Sequence, residues 1–98
     1  MITTSGNLKV GIEFAGTTHK TFVIRAAKVR DTIDATASAG VENSVKFMLA
    51  TYALQLVSLG DIPKENITSE LLADLYDVDL VVLQEAAQEL EKKLMNLK

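Results

Sequence analysis

Apolar residues are densest between Asn43 and Pro63, where Val45, Phe47, Met48, Leu49, Tyr52, Leu54, Leu56, Val57 and Leu59 precede Gly60. Val45, Met48, Leu49, Tyr52, Leu56 and Leu59 recur at helical spacing and predict a central helix over 43–59. Phe47, Leu54 and Val57 fall outside that stripe, so the helix is apolar over much of its girth and must be wrapped by its own domain or completed by a partner. Gly60 can close a helix in the left-handed conformation, and Pro63 cannot continue one. The segment is too short, and with Lys46 and Gln55 too polar, for a membrane span.

Upstream the period changes from helical to two. Leu8, Val10, Ile12 and Phe14 alternate with Lys9, Gly11 and Glu13, and Phe22 and Ile24 share a face of a returning strand. Ala15-Gly16-Thr17-Thr18 supplies the turn, which predicts a β-hairpin over 8–25, with Met1 to Asn7 as an arm outside it. Two strands are marginal in water, so the hairpin needs a platform, and the central helix is the obvious one. Val29, Ile33 and Ala37 form a thin apolar line that predicts a short helix over 28–39.

A helical segment is expected over 69–97, with Thr68 or Ser69 as one cap and Asp77 or Asp79 as the next. Along it Tyr76, Leu80, Leu83, Ala87, Leu90, Leu94 and Leu97 follow heptad a/d spacing. Such a seam packs on the central helix within the domain, or it receives a partner helix; both readings stay open. The expected architecture is a single α+β domain over 1–98, an N-terminal β-hairpin packed on a small bundle of three to four helices.

Composition narrows the chemistry. No cysteine is present and there is one histidine, which argues against disulfides and zinc. The net charge of −3 hides an uneven distribution: Lys20, Arg25, Lys28 and Arg30 make the front basic, while Asp61 to Glu91 is rich in carboxylates. That basic cluster is interleaved with Thr and Ala and followed by Asp31 and Asp34, a poor track for nucleic acid. Basic and acidic ends can also steer self-association. The polar N-terminus does not resemble a signal peptide, so a cytoplasmic protein is expected. His19, among turn threonines, has no acid close in sequence and reads as an exposed turn residue. Asp74, Asp77 and Asp79 lack the glycine of a calcium loop and read as capping and solubilising groups. No phosphate-binding glycine motif and no catalytic constellation emerges, and no cofactor is expected.

Three stretches carry a family resemblance. Val23-Ile24-Arg25-Ala26-Ala27-Lys28-Val29-Arg30-Asp31 is similar to a strand exit with an apolar residue, Arg, a spacer, Pro and a later Asp, with Ala27 at the proline position. Leu59-Gly60-Asp61-Ile62-Pro63 resembles a Leu-Thr-Gly-apolar-Pro helix stop, with Asp61 inserted. Ile67, Leu71, Leu75, Asp79 and Leu83 resemble a final segment in which spaced apolar residues precede an Asp and a terminal helix. Together they resemble the tail assembly chaperones of Mu-like and other contractile-tailed phages and prophages.

The resemblance implies a non-enzymatic cytoplasmic protein that binds the long, largely helical tape measure protein and keeps it soluble until the tail tube forms around it. Leu83, Ala87, Leu90 and Leu94 are then the expected partner-facing residues, with Glu85, Glu89 and Glu91 keeping the complex soluble. Arg25 and Asp31 are expected to bridge the hairpin exit to the next helix. The alternative is a self-assembling phage tail or capsid accessory subunit, a homo-oligomer whose basic and acidic ends meet. Neither reading involves nucleic acid or a membrane.

Overall fold

A computed structural model of the chain describes residues 2–40 and 42–97. The alternating segments form an antiparallel hairpin of β1 (Thr3–Phe14) and β2 (Thr17–Arg25). Thr3 to Asn7, expected as an arm outside the hairpin, instead pair with Thr21 to Arg25. The open side of β2 satisfies their backbone groups, and Thr suits an extended chain. Farther along, five residue steps of β1, from Asn7 to Ile12, face two steps of β2, from Thr21 to His19. This bulge carries Val10 outward, to 44% exposure, while Leu8 and Ile12 on either side of it stay buried.

The apolar run expected as one helix over 43–59 divides in two. Helix α2 covers Ser44–Gln55, and Leu56–Leu59 is a third strand, β3, antiparallel to β2. The sheet order is β1-β2-β3. A run that is apolar on every side has no helical face to protect, and beside the free edge of β2 an extended chain gains ladder hydrogen bonds. Leu56 and Leu59 stay fully buried in that form. Gly60 does adopt a positive φ, but it closes a strand rather than a helix.

The short helix appears as α1 (Val29–Ala39). The segment over 69–97 divides into α3 (Ser69–Leu72) and α4 (Asp77–Met95), with a single 3₁₀ turn at Lys64–Asn66 before α3. Thr68 caps α3, its hydroxyl accepting from the Leu71 amide at 3.2 Å. The core joins Leu8, Ile12, Phe22, Ile24, Leu56 and Leu59 of the sheet to Leu49 and Ala53 of α2, Leu72 of α3, and Leu83 and Leu90 of α4. Helix α4, not α2, makes the larger contact with the hairpin. It runs antiparallel to β1: Asp79 meets Lys9 to Gly11, and fourteen residues later the Lys93 ammonium donates to the Thr3 carbonyl at 3.0 Å. The fold is α+β, as expected, with a third strand added. Among the described residues no helix is long and apolar enough to cross a membrane.

Candidate functional site

The heptad seam of α4 faces inward. Leu83 and Leu90 are each 1% exposed against the sheet, which corrects the expectation that they face a partner. An a/d row and a core-facing row have the same spacing, and here the apolar face of β1 claims it. Ala87 is half-buried on the same side. The last part of the seam runs past that cover: Leu94 is 40% and Leu97 61% exposed.

Leu94 reaches an open groove of about 620 Å³, whose floor is Ile2, Ala26, Ala27 and Leu94. An adjoining hollow lined by Tyr52, Ala87 and Glu91 shares Ala26, Ala27 and Leu94 with it, so the two are continuous. Burial first, and then the Glu91 carboxylate, push the Tyr52 hydroxyl up, which keeps it a neutral hydrogen-bonding group.

One wall of the groove is the Arg25–Asp31 pair, which bridges the end of β2 to the first turn of α1 as expected. The guanidinium donates to both carboxylate oxygens at 2.7 and 2.8 Å, and to the Ala26 and Leu54 carbonyls, each at 3.1 Å. Asp31 also accepts from the Lys28 amide at 2.8 Å. The hydrogen bond from Arg25 holds the Asp31 carboxyl below its usual value of 3.8, against a smaller opposing effect of burial. Lys64 completes the arrangement, its ammonium donating to the carbonyls of Ala53 at 2.8 Å and of Leu56. The C-terminal end of α2, where the helix dipole is negative, is thus covered by two cations. Burial, and then the charge of Arg25, push Lys64 down. Arg25, Asp31 and Lys64 are committed to one another and to backbone, so the groove offers an apolar floor, with the exposed Lys28 and Arg30 lining it as well.

Asp79 has a different role from the capping one expected. It is fully buried, and its carboxylate accepts from the amides of Lys9 at 2.6 Å, Val10 at 3.2 Å and Gly11 at 2.8 Å. The bulge in β1 wraps three successive N–H groups around one carboxylate, an anion nest filled by the protein itself. Gly11 makes this possible at φ +94, where a β-carbon would stand 2.7 Å from Thr18 and 2.8 Å from Lys20. The available sequence signal was the glycine interrupting an otherwise alternating strand. Asp74 and Asp77 are exposed, and among the described residues no group of three or more His, Cys, Asp or Glu is placed to hold a metal ion.

His19 also departs from expectation. It lies within β2 at 9% exposure, edge-on to Phe14 with ring centroids 6.5 Å apart, and its Nδ1 accepts from the Asp61 amide at 3.2 Å. Gly60 passes directly over the imidazole, where a β-carbon would come within 2.2 Å of Nδ1. The histidine supports the turn after β3.

Comparison with known protein families, curated proteins and solved structures gives no match.

Proposed function

We propose that the protein is a non-enzymatic binding protein that seats an apolar row of a helical partner in the groove over Ile2, Ala26, Ala27 and Leu94. Its setting, on this reading, is phage tail assembly, with the tape measure protein as the partner. The observation that carries the proposal is the groove: an open apolar floor beside the paired Arg25 and Asp31, with Lys28 and Arg30 also among its lining residues. Helix-in-groove docking uses such a surface to take up a row of partner side chains. The resemblance at Val23–Asp31, Leu59–Pro63 and Ile67–Leu83 supplies the biological setting. The exposed carboxylates Glu85 and Glu89 on α4 suit a protein that must keep an apolar client in solution.

The test is co-expression with the long helical protein encoded just downstream, followed by size exclusion with light scattering. The expected result is a soluble complex with several copies of this chain per partner. Leu94→Glu keeps the free chain folded and loses the complex, because Leu94 lies in the open groove. Leu90→Ala, in the core, instead costs about 2–4 kcal/mol of stability. An insoluble partner beside a free small protein overturns the proposal. A ring formed by the chain alone replaces it with the accessory-subunit reading.

A further inference from the structure

Helix α1 turns its apolar line away from the domain. Asp31 and Ala35 are the buried residues of this helix, while Val29 is 77% and Ile33 51% exposed. The cause lies at the helix start. The two-pronged bond from Arg25 and the bond from the Lys28 amide pull Asp31 inward and fix the rotation of the helix. At 100° per residue, Ile33 and Ala37 then point outward and Val29 close beside them. The same rotation places Arg30 and Asp34 along one flank of the outward line, and Thr32 and Thr36 along the other.

We propose that this face is a contact between two copies of the chain, α1 against α1, antiparallel about a two-fold axis near Ile33. The charges select both the occupant and the direction. In an antiparallel pair each flank meets its own counterpart, so Arg30 faces Asp34 of the second copy and Asp34 faces its Arg30. A parallel pair would set Arg30 and Asp34 against the threonines. Among the described residues neither Arg30 nor Asp34 has an ion-pair partner, the one salt bridge being Arg25–Asp31.

The helix dipole gives an independent argument for the same direction. Arg30 lies in the first turn, where a cation is disfavoured, and the last turn of α1 has no basic residue. Antiparallel pairing moves each Arg30 toward the negative end of the other helix. On the axis Ile33 meets Ile33, and Val29 meets the small Ala37, so large and small residues alternate.

Two faces of an 11-residue helix make a small interface, so a reversible dimer is expected, with a Kd on the order of 10–100 μM. This contact does not depend on the proposed partner of the groove.

The test is sedimentation of the isolated chain from about 5 μM to about 1 mM, a range that brackets that Kd. The expected result is a monomer–dimer equilibrium. Ile33→Asp abolishes it without changing the circular dichroism or the melting temperature, because the side chain is exposed. Arg30→Asp sets carboxylate against carboxylate and weakens the dimer about tenfold or more. Combined with Asp34→Arg, the same change restores opposite charges and recovers most of the affinity. Leu94→Ala, an uncharged change in the groove, leaves self-association unchanged. A monomer at every concentration, an Ile33→Asp chain that still dimerises, or a double variant as weak as Arg30→Asp overturns the proposal.

Discussion

Removing the carboxylate of Asp79 should loosen the contact between the hairpin and α4 more than any other single change in a polar residue. The side chain is fully buried and serves three backbone donors. With alanine at this position the Gly11 amide, whose bond is buried, is left without a partner, at a cost of about 2–3 kcal/mol. The Lys9 and Val10 amides are only partly buried, so water can replace the carboxylate there, and each costs about 0.5–1 kcal/mol. The total is about 3–5 kcal/mol, a third or more of the stability of a typical small domain. In a chain of this length that lowers the melting temperature by roughly 15–30 °C. Asp79→Asn keeps the shape but turns an amide NH₂ toward a backbone N–H, and should cost about 1.5–3 kcal/mol. Asp77→Ala is the control: exposed in the same first turn, it loses only a favourable charge at the helix start, less than about 1 kcal/mol. Urea unfolding followed by circular dichroism gives the three values, and hydrogen exchange at Gly11 reports the bulge directly. If Asp79→Asn and Asp79→Ala both lie within about 0.5 kcal/mol of the unaltered chain, the carboxylate does not hold the bulge and the reasoning fails.

The Arg25–Asp31 pair should contribute to the acid limb of the stability profile. The folded-state pKa of Asp31 lies below its unfolded value, so its contribution is complete above the unfolded pKa, near 4, and is lost as pH falls through the folded one. Asp31→Asn should cost about 2–3 kcal/mol at neutral pH and flatten that limb, measured by urea midpoints from pH 7 to about 2. An unchanged acid limb would remove Asp31 from the account. At the turn after β3, Gly60→Ala meets both a left-handed φ and the imidazole below it, and should cost at least about 2 kcal/mol. The β-carbon of His19 is itself part of the clash at 2.6 Å, so His19→Gly is the change that removes it, and the double variant should be less destabilised than the sum of the two single changes. Strict additivity in that cycle would show that backbone strain alone is responsible.

Local chemistry was legible where a short-range partner decided the outcome. Arg25 and Asp31 lie six residues apart across a strand exit and helix start, and their bridge follows from that spacing. The hairpin, α1 and the Thr68 cap were legible for the same reason. What failed depended on distant neighbours. Leu56 to Leu59 fit a helix or a strand equally well until β2 offers its edge. The direction that Val29, Ile33 and Ala37 face is not readable unless the pull of Arg25 on Asp31 is known. Asp79 finds its donors about seventy residues away, in a bulge that no hydrophobic period announces. Leu83 and Leu90 have the spacing of a partner seam and of a core row alike, and only the position of β1 separates the two.

The passage from α2 to β3 has no connecting residues: Gln55 ends the helix and Leu56 begins the strand. Helix and strand are therefore geared together like a crank on its shaft. One inserted residue would either swing the whole of α2 by 100° or send Leu56 and Leu59 to the opposite side of the sheet. Length variation in this chain has to be absorbed elsewhere, at the hairpin tip or before Asn43, while the joint at Gln55 keeps its count.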